Sequence, residues 1–282
     1  MTLFDTSTAM YDPARDDRCR ILGIPISVVT MDSAISRIEH LARQTDGSYV
    51  CVTDVYNIVL AQSDAEHKRV LMGASMITPD GTPISWLARL RGQNGIDRVC
   101  GPDLMPRVIE ASQQSGLRHY FLGGAEGVPE RLSQAMQNAY PKAQIVGTFS
   151  PPFRTLSDGE KDAMLRDILT SGANVLWIGL GCPKQEKWMA DHRAALPGVV
   201  QIGVGAAFNF HTGEVARAPL WMRRNGLEWL HRLASEPRRL WQRYFIMAPR
   251  FVWGGIIETL TGTYREPIDA DIREREQSFS QQ

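Results

Sequence analysis

Six short apolar runs, each set beside an amphipathic stretch, constrain the fold of this chain more than any other feature. The runs fall at 48–52, 76–78, 119–122, 144–147, 174–178 and 199–204. Around them, helical periodicity predicts helices over 31–45, 55–65, 83–90, 102–115, 128–139, 158–171 and 183–195. Strands that alternate with helices make βαβ units, so the expected class is α/β with a mostly parallel sheet flanked by helices. Three runs lead into glycine-rich connections, at 123–127, 179–183 and 203–207. Ligands collect at the carboxyl ends of the strands in open sheets of this kind, so Gly124, Gly181 and Gly205 are expected to rim one crevice.

The flanks read differently. Residues 1–18, with Asp5, Asp12, Arg15, Asp16 and Asp17 among small residues, lack periodicity and are expected to form a loose arm. The stretch 265–282 is polar and charge-mixed, a tail without a hydrophobic face. Composition also changes after about Phe210. Between Arg217 and Gly254 stand eight arginines against two acids, Glu228 and Glu236, interleaved with Trp221, Trp229, Trp241, Tyr244, Phe245, Phe251 and Trp253. That mixture suits a surface facing anionic lipid or nucleic acid, or an ordinary helix pair whose aromatics pack on the sheet. The expected organisation is a Rossmann-like α/β domain over 19–210 and a basic, aromatic-rich helical appendage over 211–264.

With 282 residues, 43% of them apolar, the chain has enough material for a sizeable core. Lysine plus arginine equals aspartate plus glutamate at 31 each, so net charge gives no reason to expect nucleic acid. Cys19, Cys51, Cys100 and Cys182 form neither a CxxC pair nor a zinc-spaced cluster, and they read as reduced thiols with no metal. No run approaches the roughly 20 apolar residues of a membrane span, and the expected location is the cytoplasm.

Four motifs stand at the ends of predicted strands or beside them. The loop Gly179-Leu180-Gly181-Cys182-Pro183-Lys184-Gln185-Glu186 lacks both GxxxxGK[ST] and the third glycine of a dinucleotide fingerprint. It suits an anion held at a helix start, or a plain strand-to-helix turn. Asp80, in Pro79-Asp80-Gly81, is either a turn former or a general base at a strand's carboxyl end. Arg98, four residues before Pro102, is either a surface arginine beside a capping turn or a cation for pyrophosphate. The small residues of 203–207, followed by Phe208 and Asn209, imply close backbone approach to a ligand or to a helix.

Together these pieces resemble the WecG/TagA/CpsF family of bacterial glycosyltransferases. The resemblance spans about 22–253 and rests on PDG at 79–81, R-x-x-G-x-D-L at 98–104, GCPKQE at 181–186, GVGAAF at 203–208, RAP at 217–219, and GLEWLHRL…EPRRLWQRY over 226–244. It implies a metal-independent, inverting transfer of a hexose or N-acetylhexosamine from a UDP-sugar to a polyprenyl-diphosphate-linked saccharide, without a cofactor. It also implies peripheral attachment to the inner face of the cytoplasmic membrane, through the appendage. By the same resemblance Asp80 is the base, and Arg98 and Gln185 line the substrate site. Arginines of the appendage, with Arg238, Arg239 and Arg243 as candidates, reach the acceptor diphosphate or the membrane.

The family pattern is broken in two places, covering three positions. Its threonine and asparagine after an early strand correspond to Val52 and Asp54, so Thr53 and Asp54 are carried over as sugar contacts. Its aspartate corresponds to Asn209, an amide that hydrogen-bonds but cannot act as a base. Two rivals follow: a non-catalytic UDP-binding scaffold of a polysaccharide assembly complex, and another nucleotide-dependent doubly wound enzyme. Homo-oligomer formation stays open, because no heptad pattern specifies it.

Overall fold

The computed structural model describes residues 12–265, so the first eleven residues of the expected arm and nearly all of the expected tail lie outside the described residues. In chain order the elements are β1 (Arg18–Ile21), β2 (Ile24–Ser27), α1 (Met31–Leu41), β3 (Ser48–Thr53), α2 (Val55–Ser63), α3 (Ala65–Met72), β4 (Met76–Pro79), α4 (Thr82–Leu90), α5 (Gly101–Ser115), β5 (Arg118–Gly123), α6 (Val128–Ala139) and β6 (Gln144–Phe149). They continue with α7 (Asp158–Thr170), β7 (Val175–Gly179), α8 (Lys184–His192), β8 (Val200–Gly203), α9 (Ala207–His211), α10 (Leu220–Arg224), α11 (Glu228–Ser235) and α12 (Pro237–Gln242). A π-helical turn at Arg243–Met247 leads into α13 (Ala248–Thr261).

Each of the six apolar runs becomes a strand of one parallel sheet, in the order β4-β3-β8-β7-β5-β6. The runs are apolar on both faces because both faces are covered. Along β3, Val50 and Val52 point into a core closed by α1, α5, α6 and α9, while Tyr49 and Cys51 point into a second core under α2, α3, α4, α8 and α13. Strand alternation thus sorts one continuous run into two hydrophobic layers. The chain leaves β3 for β4 on one side, crosses to β5 and β6 on the far side, and returns through β7 to β8 beside β3. In open sheets such a reversal is where a ligand crevice is expected, here at the carboxyl ends of β3 and β8.

Local chemistry sets the helix ends. Thr30 and Ser157 form capping boxes with Ser33 and Glu160, and Asp54 caps α2 through the Asn57 amide. Asp64 both ends α2, close to the expected end of the helix over 55–65, and caps α3, a helix that the sequence reading does not include. The antiparallel β1–β2 hairpin is also absent from the sequence reading, because its strands have four residues each and β2 contains Pro25. Its first strand starts at Arg18, one residue inside the expected arm.

The helices after Phe210 are joined to the α/β core. Leu240 and Phe251 are buried, Phe251 within the core that contains Cys51 and Ile77. An ion pair fixes α13: Arg91 Nη1 lies 2.8 Å from Glu258 Oε2, with the two side chains only 3% and 10% exposed. Glu258 also accepts the amides of Leu22 and Gly23 in the β1–β2 turn, and Arg91 donates to the Gly255 carbonyl. Removing one partner of such a buried pair strands the other charge. Glu258→Ala is therefore expected to lower unfolding stability by about 3 kcal/mol, read from urea unfolding; a loss below roughly 1 kcal/mol would show that the pair does not hold α13.

Candidate active site

Asp80 is the first residue past β4, and its backbone N–H donates to the Thr53 carbonyl at 2.8 Å, extending the β3–β4 ladder to the sheet edge. Thr53 is fully buried at the end of β3, its hydroxyl donating to the Cys51 carbonyl. Arg98 is set beside Asp80 by backbone pairing too: the Val99 amide donates to Pro79 O at 2.9 Å, and the Thr78 hydroxyl to Val99 O at 3.2 Å. Arg98 Nη2 comes within 3.9 Å of Asp80 Oδ1.

Three residues of the C-terminal segment complete this side, Arg217 in the loop before α10, Arg223 on α10 and Glu228 on α11. Glu228, in the first turn of α11, accepts from Arg98 Nη2 at 2.6 Å, and its other oxygen lies 3.4 Å from Arg217 Nε. Arg217 Nη1 donates to Asp103 Oδ1 at 2.6 Å, and Arg223 Nη1 lies 3.6 Å from the same oxygen. Cation and carboxylate alternate along this chain of contacts from Asp80 to α5. Burial pushes Asp80 up to about 6; Arg98 pulls against this, the Asp54 and Glu228 carboxylates add to it, and Arg232 pulls down. Asp103 behaves in the opposite way. Its burial is outweighed by the hydrogen bonds from Arg217 and Cys100, which hold it down at about 2.

The opposite wall is built from α2, β7 and β8. Asp54 Oδ2 faces Arg243 Nη1 at 3.6 Å, and the Arg243 guanidinium lies over the Tyr56 ring, 4.2 Å from its centroid. The π-helical turn delivers Arg243 here, a use typical of such turns. Arg238 and Arg239 are exposed instead, Arg239 paired with Glu236. Gln185 is buried: its Oε1 accepts the Gly181 amide at 3.2 Å and its Nε2 donates to Glu186 Oε1 at 2.9 Å. Asn57 bonds Asp54, His67 and the Cys182 thiol, so the loop after β7 and the start of α2 share one polar network. Burial, with Glu186 and Asp54 nearby, raises the Cys182 thiol far above its usual range, which makes it a poor redox centre.

The glycine loops meet where the sequence places them. Gly124 donates its amide to Gly179 O at 3.1 Å, and Gly205 donates to Ile178 O at 3.2 Å. Gly205 packs against Gly181 and Gln185. At Gly181 a side chain would meet no atom within 4 Å, so its φ of +77° and not crowding calls for glycine. Asn209 is half-buried on α9, the helix that follows the 203–207 loop.

The structure therefore brings Thr53, Asp54, Asp80, Arg98, Arg243 and the Gly181 and Gly205 loops to one edge of the sheet, and separates Arg238 and Arg239 from them. Sequence reasoning missed Glu228, Asp103 and Arg223 as partners in the site. Its available signal was that Glu228 is one of only two acids among eight arginines between 217 and 254. The Nε atoms of Arg223 and Arg232 are buried without a hydrogen-bond partner among the described residues, and Arg232 lies over the Phe210 ring at 5.6 Å. Donors of this kind suit an anion. Among the described residues no group of three or more His, Cys, Asp and Glu side chains is set to hold a metal ion.

A parallel sheet whose strand order reverses, with glycine loops at its carboxyl edge and arginines beside them, is the architecture of an open α/β fold that offers a ligand site at its strand ends. The chain belongs to the WecG/TagA/CpsF glycosyl transferase family, whose family model matches residues 19–265. It is 28% identical over 227 residues to the N-acetylglucosaminyldiphosphoundecaprenol N-acetyl-beta-D-mannosaminyltransferase of Bacillus subtilis (strain 168), covering 79% of this chain and 85% of that protein. It is 27% identical over 212 residues to the protein of the same name from Bacillus spizizenii (strain ATCC 23059 / NRRL B-14472 / W23), covering 74% and 79%.

Glu186 gives this site a pH signature. Its side chain is fully buried, Oε2 has no hydrogen-bond partner among the described residues, and burial pushes the carboxyl from 4.5 up to about 7 against the hydrogen bond from Gln185. Between these two values the native chain holds a proton that the unfolded chain has released, so stability falls as pH rises through that window. Glu186→Gln removes this term. Relative to the parent, the variant is expected to gain on the order of 2 kcal/mol, or a few degrees of Tm, between pH 5 and pH 8; parallel Tm curves would place the ionisation elsewhere.

Proposed function

We propose that the protein transfers a hexose or N-acetylhexosamine from a UDP-sugar, with inversion, to a saccharide carried on a polyprenyl diphosphate during synthesis of a bacterial surface or exopolysaccharide. The Bacillus relatives are named for transfer of an N-acetyl-β-mannosaminyl group to an N-acetylglucosaminyl-diphospho-lipid, which favours an N-acetylhexosamine donor and an acceptor of that chemistry. The observation that carries the reading is Asp80: a carboxylate 28% exposed at the carboxyl edge of the sheet, with its proton affinity raised, beside a ring of arginines.

In this reading Asp80 takes the proton from the acceptor hydroxyl as its oxygen bonds to the anomeric carbon. The bond from that carbon to the UDP oxygen breaks on the opposite face, and UDP leaves with the electron pair. A single displacement of this kind inverts the anomeric centre. The base must be ionised, so transfer is expected to rise with pH through about 6, the value to which Asp80 is raised. Arg98 and the buried Nε donors of Arg223 and Arg232 meet the charge that grows on the diphosphate. Arginine supplies that charge, so the reading calls for no metal and no cofactor.

The acceptor lipid lies in a membrane, and the C-terminal helices suit its surface. Eleven of the fifteen large apolar side chains exposed among the described residues fall between Leu220 and Leu260, among them Trp253 and Leu260 at 67% and 82%. No helix of the described residues is long and apolar enough to cross a membrane. An amphipathic surface with arginines nearby docks on anionic lipid without spanning it, and the reading places the protein on the inner face of the cytoplasmic membrane.

Asp80→Asn is expected to lower kcat by about 10³ while UDP still raises Tm as in the parent. Undiminished transfer by the variant, measured as UDP release with a polyprenyl-diphosphate N-acetylglucosamine acceptor, would remove the base assignment. For docking, Trp253→Glu with Leu260→Glu is expected to weaken sedimentation with anionic vesicles at least about tenfold, and more steeply at low salt. Unchanged partitioning would place the membrane contact on another face.

A further inference from the structure

Arg98 is one cation between two carboxylates that do not share it equally. Its Nη2 is 2.6 Å from Glu228 Oε2 and 3.9 Å from Asp80 Oδ1. Glu228 is nearly buried and is itself fixed, because Arg217 holds its other oxygen and is anchored to Asp103 at the start of α5. We propose that Glu228 is a positioning residue for the transfer: it draws the Arg98 guanidinium off Asp80, so that Asp80 meets the acceptor without a closely paired cation, and it makes that setting depend on the docked C-terminal helices. The proposal rests on the reading of Asp80 as the base.

The physical reason is the opposing demand on Arg98. A leaving diphosphate needs the cation near the reaction centre, whereas a base in close contact with arginine loses about 1–3 units of proton affinity and with it the driving force for proton transfer. Glu228 resolves the conflict by holding the guanidinium beside Asp80 but bonded elsewhere. The groups that face Asp80 come from every element packed around it. They are Asp54 at the head of α2, Arg98 and Cys100 before α5, Glu228 and Arg232 on α11, and Tyr244 in the π-helical turn. Among them Glu228 is the carboxylate that Arg98 touches. Glu228 also raises Asp80 directly through its own charge, so the share that passes through Arg98 is the part of the shift that disappears when Arg98 is replaced.

The test is a ¹³C-carboxyl NMR titration of Asp80 in the full chain, assigned by its loss in Asp80→Asn, together with the pH profile of kcat. In Glu228→Gln, which keeps size and an acceptor oxygen but removes the charge, the Asp80 midpoint is expected to fall by about one unit, the acid limb of kcat to move with it, and the fall to be clearly smaller when the same change is made in Arg98→Gln protein. In Arg217→Gln, which frees the other side of Glu228 and leaves its charge, the midpoint is expected not to fall. An unmoved midpoint in Glu228→Gln, a fall of the same size with Arg98 present and with Arg98 replaced, an equal fall in Arg217→Gln, or loss of the fold in Glu228→Gln would overturn the proposal. Because the titration is read without substrate, the two ideas fail separately. An unmoved midpoint with inactive Asp80→Asn protein removes only the role of Glu228, whereas full transfer by Asp80→Asn removes the base and this proposal with it.

Discussion

The site depends on one backbone hydrogen bond, from Asp80 N–H to the Thr53 carbonyl at 2.8 Å. It is the last rung of the β3–β4 ladder and places the carboxylate one residue beyond a buried strand instead of in a free loop. Its counterpart is the Val99 amide on Pro79 O, which lays the segment carrying Arg98 against the same strand end. The Asp80 carboxylate and the Arg98 cation are thus held by the sheet, and side-chain pairing only adjusts the distance between them. Rigid placement of this kind is what the proposed proton transfer requires, since a shift of about 1 Å is enough to lose alignment.

Around that fixed point the protein tolerates buried polar groups that a purely structural core would avoid. The Asp54–Asn57–Cys182 network and the Gln185–Glu186 pair link the α2 cap to the loop after β7, so the crevice wall is held by hydrogen bonds. One consequence is that the Gln185 amide already has two internal partners, and it shapes the Gly181 backbone from a buried position. Another is a carboxyl group, Glu186, raised toward neutrality by its own burial. Cost concentrated at a ligand-binding edge is the usual sign of function set against stability.

Much of the fold was legible in the sequence because its strongest signal, six two-faced apolar runs, follows directly from a parallel sheet covered on both sides. Val50 and Cys51 are both apolar because both faces of β3 are packed. The β1–β2 hairpin was not legible, since a four-residue strand containing Pro25 carries no period to count, and α3 was hidden because Asp64 reads as a surface acid until its capping role is seen. Asp80 and the glycine loops could be placed at strand ends from the sequence, Arg98 was marked only by its place before Pro102, and site roles for Asp80 and Arg98 came from the family resemblance. Glu228 could not, because its partner Arg98 lies 130 residues away in sequence. Nor could the sequence separate Arg243 from Arg238 and Arg239: a basic run looks uniform until the π-helical turn sends one arginine to Asp54 and Tyr56 and leaves the others at the surface.

The central claim is that one ligand site has its walls in both the carboxyl edge of the sheet and the C-terminal helices. Hydrogen exchange of the full chain with and without UDP tests this most directly. The account predicts slower exchange, on adding UDP, in the loops at 80–82, 179–184 and 203–207 and in 217–235 together. Protection confined to the amino-terminal edge of the sheet, or absent from 217–235 while the loops respond, would contradict it.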